Sequence, residues 1–217
     1  MKARIKFSKT GKVKFIGHLD VMRYFQKLIR RAKLDVTYSQ GYHPHQIMSF
    51  TSPLSVGIES QGEYFDIETN SKIDPDYAVK VLNENTVDDI KVINYIQLPD
   101  DAKKSMALLS AADYLVDIDF DSETIDEFLN QDKIEVLNKT KKSEKIVNIK
   151  GMIYELKNRD SKLFMKVAHG SKANLKPGLV VEALCEFAEK EIPEFLKMTR
   201  LEMYYEKDGK QIPLEDV

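Results

Sequence analysis

What the sequence withholds is as informative as what it contains. The 217 residues include one cysteine, Cys185. One thiol can neither close a disulfide within the chain nor supply a cysteine-ligated cluster. Cys185 stands among Leu184, Phe187 and Ala188 in a helical pattern and reads as a buried core thiol. No stretch approaches the roughly 20 consecutive apolar residues that cross a bilayer, and from Met1 the chain runs directly into an alternating strand pattern without a signal-like segment. The expectation is a cytoplasmic protein with no membrane partner. Two motifs are also missing. No Gly-x-Ser-x-Gly elbow surrounds any serine, and Gly170-Ser171-Lys172 lacks the spacing of a phosphate-binding Walker loop.

Charge is close to balanced, at −2, but it is not evenly spread. Residues 1–50 carry eleven Lys and Arg against two Asp, a local +9, and the remaining 167 residues carry 22 basic and 33 acidic side chains, a local −11. Such asymmetry points to an anionic partner for the first segment, although exposed charge is common and often does no more than sit in water.

Periodicity predicts a mixed α+β chain. Ala3-Arg4-Ile5-Lys6-Phe7 alternates as a half-buried strand with Ile5 and Phe7 inward and Lys2, Arg4 and Lys6 outward. Between Leu19 and Ala32, Val21, Met22, Phe25, Leu28, Ile29 and Ala32 recur at helical steps and leave Arg23, Lys27, Arg30 and Arg31 on the other side. A strand over 62–68 pairs with residues 47–58, Asp74-Pro75 opens a second helix, and Ile90 to Ile96 closes the unit as a strand. The order then repeats from Tyr114 to Tyr205. Two tandem ferredoxin-like β-α-β-β-α-β halves with antiparallel sheets are expected, over residues 1–102 and 106–217.

The stretch with the most chemistry is Ser39-Gln40-Gly41-Tyr42-His43-Pro44-His45, a loop of backbone breakers carrying two imidazoles. Zinc needs three or four ligands, so two histidines around a proline are a weak metal signal, and no metal site is assigned. His45 is the best candidate for a general acid or base, with Ser39 or Tyr42 as helpers, and His18 at the helix start is a second candidate. Arg23, Lys27, Arg30 and Arg31 suit phosphates, Tyr38, Tyr42 and Phe50 suit stacking on unpaired bases, and Ser39, Gln40, Tyr42 and His43 complete the candidate nucleic-acid- or anion-binding set. Lys172 offers a second small anion-binding turn ahead of a helix.

Gly17-His18-Leu19-Asp20-Val21-Met22-Arg23, Arg30-Arg31-Ala32, Ser39 to His45, Pro53-Leu54-Ser55-Val56-Gly57 and Glu63-Tyr64-Phe65-Asp66-Ile67 resemble the DUF2344, or radical SAM-linked, family. Gly170 to Pro177 is similar to a second landmark of that family. The resemblance implies a partner: members are encoded beside, or fused to, a radical SAM protein. It would be that partner which carries the 4Fe-4S cluster and S-adenosylmethionine, with no cofactor held by this chain. Where relatives have Phe-Asn-Pro-His this chain has Tyr42-His43-Pro44-His45, which favours His45 over His43 as the functional group. Together these readings favour an RNA-binding accessory protein working with a radical SAM enzyme in tRNA or rRNA modification. The alternatives are a stand-alone nuclease or transferase using His45, and a docking subunit that touches no substrate.

Overall fold

The computed structural model describes residues 1–139 and 144–216. By internal contacts the chain divides into two units, Met1–Leu109 with Glu202–Val217, and Ser110–Leu201. Residues 202–217, which the order of elements assigns to the second half, belong to the first.

In the first unit β1 (Lys2–Lys9) is central, with α1 (His18–Arg31), β2 (Met48–Phe50), β3 (Glu59–Glu68), α2 (Pro75–Glu84), β4 (Ile90–Leu98) and α3 (Ser105–Leu108) following. β1 pairs antiparallel with β3 on one side, Ile5 opposite Phe65, and with β4 on the other, Ile5 opposite Tyr95. β2 adds antiparallel to β3, Phe50 opposite Phe65. α1 lays Val21, Phe25, Leu28 and Ile29 on this sheet. There Phe25 meets Phe7 at 4.5 Å and Phe65 at 4.7 Å between ring centroids, distances at which tilted aromatic pairs attract. α1 ends in a Schellman turn: the Leu34 amide donates to the Ile29 carbonyl and the Lys33 amide to that of Arg30, with Lys33 at φ 53° where glycine usually stands. Asp74 caps α2 by accepting from the Tyr77 amide at 2.9 Å, and Pro75 occupies the first turn.

The second unit holds β5 (Leu109–Val116), α4 (Ser122–Asn130), β6 (Glu135–Lys139), β7 (Glu144–Asn148), β8 (Ile153–Asn158), β9 (Leu163–Ala168) and α5 (Pro177–Phe187). β9 lies between β5 and β8, antiparallel to both. β6 and β7 form a separate two-stranded sheet and do not join the ladder of β8 and β9. β10 (Met198–Lys207) and β11 (Lys210–Pro213) complete the chain and pair antiparallel. The architecture is α+β with a largely antiparallel sheet.

The polar face of β1 is where the structure overturns the sequence reading. Arg4 and Lys6 are buried, not solvent-facing. Arg4 donates through Nε to Asp66 at 2.8 Å and through Nη1 to the Leu214 carbonyl at 2.8 Å. The Lys6 ammonium donates to Glu202 and Glu215, both at 2.6 Å. Alternation shows that the two faces of a strand differ. It does not show that a segment some 200 residues later will cover the polar one. Lys9 is buried too, donating to the Lys14 and Ile16 carbonyls.

Candidate functional site

The histidine loop is closed by its own ends. The Ser39 amide donates to the His45 carbonyl at 2.8 Å, and the His45 amide donates back to Ser39 Oγ at 3.1 Å. Ser39 Oγ also lies 2.8 Å from His45 Nδ1, which fixes the imidazole against the neck of the loop. Tyr38 bridges Gln46 just behind this pair, and Gly41 at φ 115° supplies the backbone turn that a side chain would strain. Gln40, Tyr42, His43 and Pro44 make an exposed tip, on which Tyr42 is wholly solvent-accessible.

Gln46 ties the loop to α1. It is buried, and its amide nitrogen donates to the Gln26 carbonyl at 3.3 Å and the Tyr38 hydroxyl at 3.4 Å. A cleft of about 150 Å³ results, lined by Gln26, Arg30, Tyr38, Pro44, His45 and Gln46. At about 100° per residue, Arg23, Gln26, Lys27 and Arg30 share roughly 100° of the α1 surface. One stripe of the helix therefore carries cations up to the cleft. Arg30 and Lys27 are exposed and form no ion pair among the described residues. Arg23 meets Asp20 at 3.4 Å in a solvated contact that holds it only weakly.

Other expected members lie elsewhere. Arg31 turns off the stripe to donate to the Asn85 carbonyl at the end of α2, at 2.9 Å, beside the Tyr24 ring. That is a favourable place for a cation at a helix C-terminus. His18 begins α1, about 18 Å along the helix axis from Arg30 at 1.5 Å per residue. Its ring packs edge-on against Phe50 at 5.5 Å. Burial pushes its pKa below the ordinary range, Glu63 opposes that and Lys9 adds to it. His18 and His45 therefore do not share a cleft. Asp66 of β3 is no partner for the histidines: it accepts from Arg4 and from the Ser105 amide, the latter at 2.6 Å. Lys172 is exposed in the second unit, on the loop whose ends are bridged by His169 and Asn174. Among the described residues no three His, Cys, Asp or Glu gather as metal ligands.

The sequence reading omitted Gln26 and Gln46, the two residues that shape the cleft. Gln26 precedes Arg30 by one helical turn, which is a readable signal; Gln46 gives none. It also missed a polar cluster in the second unit. There Arg200 donates through Nη1 to His169 Nε2 at 3.1 Å, while His169 Nδ1 lies 2.9 Å from Asn174 Oδ1. Accepting at Nε2 places the neutral ring's proton on Nδ1. Burial, reinforced by the Arg200 charge and opposed by Asn174, holds the His169 pKa down at about 4.

The fold defines an α+β protein with a histidine loop docked on a basic helix. The family profile "Uncharacterized protein conserved in bacteria (DUF2344)" matches residues 2–177, and the chain belongs to that family. No curated protein matches the sequence. Among solved structures, a chain in the "Crystal Structure of a Cbf5-Nop10-Gar1 Complex" is similar over 95% of this chain at 10% identity with a TM-score of 0.50. The match covers 50% of that chain, and at this identity the likeness is one of fold alone. No helix among the described residues is long and apolar enough to cross a membrane.

Proposed function

We propose that this chain is a cytoplasmic accessory protein that binds single-stranded RNA through the α1 stripe and the histidine loop, for modification by a radical SAM partner. The observation that carries the reading is the cleft itself. The Arg30 guanidinium, with no ion pair among the described residues, lines it with His45 and the half-exposed Tyr38, and the fully exposed Tyr42 stands on the same loop. Cations that track phosphates next to aromatic faces that stack on bases are the two parts of sequence-tolerant recognition of a single strand. With Cys185 as its one thiol, the chain leaves the cluster and S-adenosylmethionine to the partner. We also read both halves as ferredoxin-like, supported in the first by the order β4-β1-β3 with β2 on β3. The separate β6–β7 hairpin is the departure in the second.

The test is fluorescence anisotropy with a labelled single-stranded RNA at low and moderate salt. Lys27→Ala/Arg30→Ala is expected to weaken binding at least about tenfold and to flatten its salt dependence by roughly one unit of slope per lost phosphate contact. Absence of any RNA retention at low salt overturns the reading. The Ser39–His45 contact favours a second reading, acid–base chemistry on the same ligand, with His45 moving the proton. A turnover abolished by His45→Ala while RNA affinity is kept supports it, and equal turnover in both proteins counts against it.

A further inference from the structure

The second unit contains a groove of about 680 Å³ between the β6–β7 hairpin and α5, well away in sequence from the histidine loop. Its floor is apolar: Leu137 and Ile146 are cross-strand partners, and with Leu179 and Ala183 of α5 they line the groove. Leu137 is 45% and Ile146 70% exposed, an unusual state for two paired large apolar side chains. Its walls are acidic. Among the described residues, Glu135, Glu182 and Glu186 line it against one cation, Lys176, and none of the three carboxylates forms an ion pair. Glu182 and Glu186 are one turn apart on α5, as are Leu179 and Ala183, so the helix presents an apolar row beside an acidic row.

We infer that this groove is a docking site for a lysine- or arginine-bearing amphipathic helix of a partner protein. The charge decides the kind of partner. Apolar side chains seated on Leu137, Ile146 and Leu179 would leave flanking ammonium or guanidinium groups opposite three unpaired carboxylates, whereas an acidic or RNA ligand would meet repulsion. Length agrees. The lining segment from Lys176, the N-cap of α5, to Glu186 spans about 15 Å at 1.5 Å per residue, the length of a three-turn helix laid alongside.

The test uses the full chain and two synthetic helical peptides of about 14 residues with leucine at i, i+3, i+4 and i+7, the other positions lysine in one and glutamate in the other. The lysine peptide is expected to bind and the glutamate peptide not. Glu182→Gln/Glu186→Gln is expected to weaken the lysine peptide at least about tenfold, and Ile146→Ser, which removes apolar floor but no charge, to weaken it as well. All three positions are exposed, so the variants keep the fold, which circular dichroism checks. No binding of the lysine peptide, equal binding of the two peptides, or lysine-peptide binding unchanged in either variant, overturns the inference. Concentration-dependent self-association of the chain that these variants abolish assigns the groove to a second copy and overturns it equally.

Discussion

β1 and α1 both set basic residues against apolar ones at regular intervals, and the fold uses the two sets in opposite ways. On the strand, Arg4 and Lys6 are covered and satisfied by Asp66, Glu202, Glu215 and the Leu214 carbonyl. On the helix, Lys27 and Arg30 stay in water, with Arg30 at a cleft. The cationic surplus of the first 50 residues is therefore smaller at the surface than the count suggests. Part of it is internal wiring. What separates the two sets is whether a later segment supplies carboxylates, and that is a property of the fold.

Removing a buried member should cost most. Arg4→Met leaves the Asp66 carboxylate, itself mostly buried, without its partner, and a loss of about 3–5 kcal/mol in denaturant unfolding is expected. The matching change on the helix, Arg23→Met, is expected to stay within about 0.5 kcal/mol, since the Asp20 contact is solvated. Equal effects would erase the distinction.

The imidazoles repeat the contrast through pH. His169 has its folded pKa depressed to about 4, below the 6.5 of an unfolded histidine. The unfolded chain therefore takes up the proton first, so the stability is fully present above pH 6.5 and is lost as pH falls from 6.5 toward 4. It amounts to about 3 kcal/mol by linkage. Denaturant midpoints measured across that range should fall for the parent and fall less for His169→Gln.

Lys6 has the opposite sign. Burial alone would lower its pKa, but hydrogen bonds and charge from Glu202 and Glu215 outweigh burial and raise it above 10.5. Its stabilisation is thus complete below the unfolded value and lost as pH rises through the folded one, above about pH 10.5. Alkaline unfolding should be displaced to lower pH in Glu215→Gln. The smallest effect concerns Lys33, whose left-handed backbone ends α1: Lys33→Gly should stabilise by about 1 kcal/mol in thermal melts.

Local pattern made much of this legible. The stripe Val21, Phe25, Leu28 and Ile29 was readable because a helix repeats every 3.6 residues, and the loop at Ser39 to His45 because its breakers announce a turn. Asp74-Pro75 announced α2 in the same way. The cover over β1 was not legible, because Glu202 and Glu215 carry no local mark of their distant partner. The cleft was half legible: Arg30 and His45 stood out by chemistry, whereas Gln46 enters only because its buried amide pins the loop to the Gln26 carbonyl. Arg31 was misplaced with the stripe, since a helical wheel does not show that the end of α2 waits beside it.

If the exposed helix cations, not the strand ones, meet a phosphate backbone, RNA binding must depend on Lys27 and Arg30. The most direct test is RNA affinity measured against salt concentration for the parent and Lys27→Ala/Arg30→Ala, each confirmed folded. The variant is expected to bind about tenfold or more weakly, with a shallower salt slope. Parent and variant lines that coincide in both height and slope would contradict it.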